Sequence, residues 1–131
     1  MQTKSKILFD ASALLALIKK EPGYEQLEEL LASSSISAVN LSEVVSVLTR
    51  LGVPKDKILE IVSEIIPEVI PLNYVTAVMA GHLIADTKAL GLSLGDRVCI
   101  ATGIINNMVI YTTDKAWQNL QLENLRLVVI R

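Results

Sequence analysis

The sequence predicts an α/β fold: a three-layer α/β/α sandwich around a mainly parallel, five-stranded sheet. Three observations predict it. Short apolar runs alternate along the chain with longer stretches whose apolar residues recur at helical spacing. The short runs, among them Ile7-Leu8-Phe9 and Met108-Val109-Ile110, are solidly apolar, as strands are when helices cover both faces. The 131 residues are 51% hydrophobic but only 4% aromatic, which suffices for one domain over 1–131 with a core of Leu, Ile, Val and Ala.

Residues 6–9 form the first strand. Residues 12–20 follow as a helix, closed by the turn Glu21-Pro22-Gly23. In 24–32, Leu27, Leu30 and Leu31 share one helical face and the charges take the other. Ser33-Ser34-Ser35 reads as a loop and the β-branched stretch 36–39 as strand two. Asn40 or Ser42 supplies an N-cap for a helix to about Leu51; Gly52 ends it, and Pro54 opens another through about Ile66. Val69-Ile70, set between prolines, is strand three. Asn73 caps a long helix to about Leu90, which Gly91 ends. Residues 93–105 form a further helix, 108–112 strand four, 115–120 a short helix and 127–130 strand five.

Bulk properties narrow the function classes. A formal net charge of -2 gives no whole-chain basic field of the nucleic-acid-binding kind, so a polyanionic substrate needs a local basic rim or a bound metal. One cysteine, Cys99, permits no disulfide within the chain and fits a reducing, cytoplasmic setting. The opening residues lead into an apolar stretch that Asp10 interrupts, which makes a poor signal peptide. Two uncharged runs, 69–85 and 98–113, are broken by Pro71, Asn73, Gly81 and His82 and by Gly103, Asn106 and Asn107. Both fall short of ~20 clean apolar residues, so no membrane span is expected. With a mean hydropathy of +0.47, they imply apolar surface covered by a subunit or partner.

In a parallel sheet, ligands bind at the carboxyl ends of the strands. Four carboxylates from distant stretches map there. Asp10 follows strand one, and Asp114 follows strand four in VIYTTD. Glu43 lies in the first turn of the helix after strand two, and Asp96 opens its helix in SLGDR. Each stands near a helix start, where the dipole favours negative charge by about 0.3–1 kcal/mol. Asn40-x-x-Glu43 also has the spacing of a capping box, and that local role is compatible with a shared one. Four clustered carboxylates repel one another; a hard divalent cation removes the conflict. One His and one Cys in the whole chain serve a zinc site poorly, so an all-oxygen Mg2+ or Mn2+ site is the consistent alternative.

FDASALLALI, NLSEV, GLSLGDRVCIAT and YTTDKAW resemble, in order and at fitting spacing, the successive motifs of PIN domains, in particular the VapC-type toxins of prokaryotic toxin–antitoxin pairs. The resemblance covers nearly the whole chain. It implies a PIN-like fold and a metal-dependent endoribonuclease that cleaves RNA, forms a homodimer and is restrained by a small antitoxin protein. It places catalytic and metal-binding roles on Asp10, Glu43, Asp96 and Asp114, with Ser12 and Thr112 or Thr113 assisting. After Asp114 stand Lys115, Ala116 and Trp117, so no fifth acidic ligand follows. A competing reading, a phosphatase of the haloacid-dehalogenase type, wants a second aspartate where Ser12 stands. Another, a catalytically weak PIN-like RNA-binding or scaffold module, sits badly with four retained acidic positions.

Other residues carry plainer expectations. Arg50 shares a helix side with Glu43, as a solvated charge bordering the site. His82 and Asp86, four apart, read as a structural pair. Cys99 and Trp117 read as core packing. Lys19, Lys20, Arg97 and Lys115 are candidate phosphate contacts. Leu14, Leu17 and Ile18, facing Leu27, Leu30 and Leu31, form the expected groove for an antitoxin tail.

Overall fold

The computed structural model describes residues 6–66 and 68–130. Five strands run through it: β1 (Ile7–Phe9), β2 (Ser34–Ser37), β3 (Val69–Ile70), β4 (Val109–Thr112) and β5 (Arg126–Val129). They join in one sheet, β3-β2-β1-β4-β5, and every pairing is parallel. The helices are α1 (Ala11–Lys19), α2 (Tyr24–Leu30), α3 (Ala38–Arg50), α4 (Lys55–Ile65), α5 (Tyr74–His82), α6 (Ile84–Thr87) and α7 (Leu94–Ile105). Pleating sends successive residues of the central strand to opposite faces. Phe9 joins a core with Leu14, Leu17, Leu27, Ile36, Val44 and Leu48, under α1 to α4. Leu8 joins a second core with Ala80, Val98, Ile100, Ile110 and Trp117, under α5 to α7. The result is the three-layer sandwich, all-parallel rather than mainly so.

β1 sits in the middle of the sheet, with β2 and β3 to one side and β4 and β5 to the other. The chain therefore reverses its direction of travel across the sheet between β1 and β4. In open parallel sheets, the crevice at such a switch point is where ligands bind. The residue leaving β1 at that point is Asp10.

Most predicted boundaries agree with the observed ones within two residues, and the shifts and differences have identifiable causes. β2 begins at Ser34 rather than Ile36, so two serines assigned to a loop are buried strand residues. Burial is tolerated because Ser34 Oγ donates to Leu31 O at 2.7 Å and Ser35 Oγ to Glu68 Oε1 at 2.6 Å. Neither Asn40 nor Ser42 caps the next helix. Ser37 does, accepting from the Asn40 N–H at 3.1 Å, so α3 starts earlier and Glu43 falls in its second turn. The long helix predicted from Asn73 does start there, but it breaks at Leu83 into α5, α6 and a 3-10 turn, Lys88–Leu90. Leu83 and Thr87 turn inward at the bend, and Thr87 Oγ1 donates to the Leu83 carbonyl at 2.8 Å. The break removes the register between His82 and Asp86; among the described residues the ion pairs are Lys19–Glu21 and Lys57–Glu60. The segment predicted as a short helix is a 3-10 turn, Lys115–Asn119.

The groove expected between α1 and α2 is filled. Leu14, Leu17 and Leu27 are buried in the first core, and Ile18, Leu30 and Leu31 pack against it. An exposed apolar recess of about 440 Å3 lies instead between α3 and α4, lined by Leu41, Val45, Val53, Leu59 and Val62. Apolar surface is also exposed on α5 at Tyr74, Val75 and Val78. No helix among the described residues is long and apolar enough to cross a membrane.

α7 lies close on the sheet where Gly103 meets Ile110. A Cβ at position 103 would stand 2.5 Å from Ile110 Cδ1 and 2.6 Å from its Cγ1. Gly103→Ala is therefore expected to destabilise the fold by about 1–3 kcal/mol through overpacking, despite alanine's better helix propensity. Urea denaturation measures it; an unchanged midpoint would mean the helix sits looser on β4 than these distances say.

Candidate active site

Asp10 is the first residue after β1 and the N-cap of α1. Its backbone N–H still bonds Tyr111 O at 3.1 Å, which keeps it in register with the sheet. Its side chain accepts from the Ala13 N–H at 2.8 Å, closing the first turn of the helix. Two hydroxyls serve the same carboxylate. Thr112 Oγ1 donates to Oδ2 at 2.5 Å, and Ser12 Oγ stands 2.7 Å from Oδ1 and 2.9 Å from Oδ2. Those hydroxyls in turn accept backbone protons, Ser12 Oγ from Thr113 N at 3.0 Å and Thr112 Oγ1 from Asp114 N at 3.1 Å. One network thus ties the end of β1 to the end of β4 and sets the turn that carries Asp114. Ser12 and Thr112 supply side chains to it, whereas Thr113 supplies its N–H.

Every partner of Asp10 is neutral. The residue is 4% exposed, and burial pushes its carboxyl up from the ordinary 3.8 to about 6. The Thr112, Ala13 and Ser12 hydrogen bonds offset part of that rise, and the charge of Asp96 adds to it.

The other three carboxylates converge on the same opening. Asp96 is in the first turn of α7 in a reciprocal capping box, its N–H donating to Ser93 Oγ at 3.1 Å and its Oδ2 accepting from Ser93 N at 3.0 Å. Asp114 caps the 3-10 turn, accepting from Ala116 N at 3.0 Å. Glu43 projects from α3 and accepts from Asn40 Nδ2 at 2.8 Å. All four, with Ser12 and Arg50, line one cleft of about 420 Å3. The ion pairs among the described residues involve none of the four.

Two of the candidate phosphate contacts are engaged elsewhere, while Trp117 and Cys99 take the core positions expected of them. Arg97 turns away from the cleft and donates from Nη1 to the Ala80 carbonyl at 2.9 Å, and Lys19 pairs with Glu21 at 3.7 Å. Trp117 is fully buried in the second core and cannot stack on a base. Cys99 is a core residue whose thiol is pushed up by burial and then by Asp10, Asp96 and Glu43 nearby, which makes it inert as a nucleophile. Two residues went unrecognised as part of the site. The sequence offers Asn40 as a cap and gives Gly95 no role of its own; the structure places both against Glu43. The Asn40-x-x-Glu43 spacing is the available signal: as a capping box it is compatible with a shared role, and the structure shows a bond from the Asn40 side chain to the Glu43 carboxylate instead.

Whether the donor set suits a cation follows from its chemistry. Carboxylates and hydroxyls are all-oxygen donors, which fits Mg2+ or Mn2+. Among the described residues, no three His, Cys, Asp or Glu side chains close into a ready-made cage.

Comparison with known proteins gives the fold its family. A family model described as the PIN domain matches residues 7–122. The chain belongs to the PIN domain family. Among curated proteins, none matches this PIN domain significantly. Solved structures do. VapBC2 from Rickettsia felis, bound to a promoter DNA fragment, matches with a TM-score of 0.72 at 20% identity, covering 95% of this chain and 98% of that one. DNA-bound VapBC from Salmonella typhimurium matches at 0.75 and 16%, covering 95% and 97%. VapC20 from Mycobacterium tuberculosis, described as a sarcin–ricin loop cleaving toxin, matches at 0.71 and 16%, covering 92% and 98%. At such identities the likeness is one of fold.

The raised Asp10 pKa fixes the sign of a pH dependence. The folded state holds this proton more tightly than the unfolded chain does. The metal-free PIN domain is therefore penalised least below pH 3.8, loses stability as pH rises to about 6, and loses no more from this group beyond. The full loss corresponds to roughly 3 kcal/mol. Asp10→Asn keeps the shape without the charge, so in EDTA at pH 7.5 it should melt higher than wild type, with the gap closing by pH 4. A variant that melts lower at both pH values would show that the carboxylate is a net support of the fold.

Proposed function

We propose that this PIN domain is a metal-dependent endoribonuclease, the toxin of a VapBC-type toxin–antitoxin pair. The observation that carries the reading is the cleft itself: four carboxylates from four separate elements face one space, and the ion pairs among the described residues reach none of them. Asp10 is buried and Glu43 and Asp96 are half-buried, and negative charge kept unpaired at such depth is what a cation would neutralise. The structural neighbours, among them a toxin–antitoxin complex and a toxin described as cleaving the sarcin–ricin loop, support the toxin assignment.

In this reading Asp10, Asp96 and Glu43 hold the principal Mg2+ or Mn2+, directly or through water. Asp114 completes the site or holds a second ion. A bound ion supplies an acidified water for attack and neutralises charge on the scissile phosphate. The chain's own residues do the rest. Ser12 and Thr112 fix the Asp10 rotamer, so its oxygens are aimed before the ion arrives. Arg50, exposed on the rim, offers a forked cation to a flanking phosphate. Neither Cys99, sealed in the core, nor His82, which does not line the cleft, serves as a side-chain nucleophile.

Partners follow from the same reading. A second copy covers the apolar surface of α5, giving a homodimer. A small antitoxin restrains the enzyme, and the recess between α3 and α4 gives its apolar side chains a seat in place of the α1–α2 groove.

RNA digestion tests the reading. Wild type should cleave with Mg2+ or Mn2+ and stop in EDTA, and Asp10→Asn and Asp96→Asn should abolish cleavage while remaining folded. Mn2+ should raise the melting temperature of wild type and not of the two variants, because it binds the folded state. Expression alone should slow cell growth, Asp96→Asn should relieve this, and a small protein should co-purify. Cleavage that persists in EDTA removes the metal from the mechanism; no cleavage and no growth defect leaves a PIN-like binding scaffold.

A further inference from the structure

Glu43 reaches the cleft through an arrangement that helix formation does not require. We propose that Asn40 and Gly95 together form a seat that places the Glu43 carboxylate beside Asp96, with Asn40 acting as a positioning residue for cation binding; this rests on the metal-dependent reading above.

The hydrogen bonds of Asn40 leave its amide no freedom. Asn40 is 1% exposed. Its Oδ1 accepts from Ser37 Oγ at 2.5 Å. Its Nδ2 spends both protons, one on Glu43 Oε1 at 2.8 Å and one on the Gly95 carbonyl at 3.1 Å. A flipped amide would set its oxygen against two acceptors, so the orientation is fixed by its partners. The end of β2, the second turn of α3 and the first turn of α7 are thereby joined through one side chain. The cap of α3 needs none of this, since Ser37 Oγ already serves the Asn40 N–H. A tie between α3 and α7 would need only the bond to Gly95. The remaining proton holds a carboxylate by one oxygen, and Oε2 has no hydrogen-bond partner among the described residues.

Gly95 supplies the space. It is buried in the first turn of α7, with no positive φ that would call for glycine, and helix propensity there favours alanine. What forbids a side chain is Glu43: a Cβ would overlap its carboxylate, with Cδ and Oε1 at 2.5 Å. Asp96 is the next residue. The missing Cβ therefore lets a carboxylate from α3 lie against the helix start that carries the neighbouring one. Because the carboxylate is the far end of a flexible chain, adding the Cβ would push it aside without disrupting the core.

Mn2+ binding to RNA-free protein, followed by electron paramagnetic resonance with thermal melts alongside, tests the seat. Asn40→Leu fills the same volume without donors, and Gly95→Ala occupies the seat. Each should weaken Mn2+ binding by about 10–100-fold, the usual effect of removing a partner that orients a ligand, and Glu43→Gln should do the same. Gly95→Ala should do so with an unchanged or raised melting temperature. Asn40→Leu added to Glu43→Gln should weaken binding no further, since the two act as a unit. Should Asn40→Leu fail to fold, Gly95→Ala carries the test alone. Wild-type affinity in the folded variants, or losses that add in full to that of Glu43→Gln, overturns the seat while leaving the nuclease standing. A wild type that neither binds Mn2+ nor cleaves RNA overturns the metal reading and this inference with it.

Discussion

The end of the central strand is occupied by a carboxylate that the fold buries without a counter-charge. Asp10 is closed in by Ala13, Ser12 and Thr112, all neutral donors, and its carboxyl is driven up to about 6 in spite of them. Much of the surrounding structure is arranged around that group. α1 takes its N-cap from it, the turn after β4 is ordered by the hydroxyls that serve it, and β1 and β4 are laced together at the switch point of the sheet. A neutral residue such as asparagine would cap α1 at lower cost. The excess cost makes sense if a cation is meant to arrive.

Capping and the convergence of carboxylates are not rivals in this architecture. Asp10, Asp96 and Asp114 each accept a backbone N–H at the start of a helix or a 3-10 turn. Such a bond fixes a short side chain to its own backbone, so the position of the carboxylate is set by the position of the element. A parallel sheet brings the starts of several following elements to one edge. Residues that read locally as caps become a convergent acidic set. Glu43 lacks that anchorage because it sits a turn further along α3, and its longer side chain takes an external tie from Asn40. Of the four carboxylates, Glu43 alone accepts no backbone N–H among the described residues, and its orientation is the part of the site most open to change by substitution.

The legible parts of the sequence were those with a local cause. The solid apolar runs gave the strands and their parallel packing, and each acidic residue directly after a strand or at a helix start could be assigned to the functional edge from spacing alone. The parts that were missed depend on contacts across the fold. Ser34 and Ser35 looked like a loop because their buried hydroxyls are satisfied by Leu31 O and by Glu68, which lies 33 residues beyond Ser35. The break at Leu83 depends on what Leu83 and Thr87 pack against, which periodicity along the helix does not record. Asn40 looked like a cap because its bond to Gly95 spans 55 residues. The α1–α2 faces looked like an open groove because nothing local says which apolar stripe the core will claim.

The central claim is that Asp10 is held in the fold at an electrostatic cost that a divalent cation relieves. Titration of its carboxyl carbon by 13C NMR, in metal-free protein and again with saturating Mg2+, tests this most directly. The account predicts a midpoint near 6 without metal and a fall below 3.8 with it. A carboxyl that titrates near 3.8 without metal, or one whose midpoint Mg2+ leaves unmoved, would contradict it.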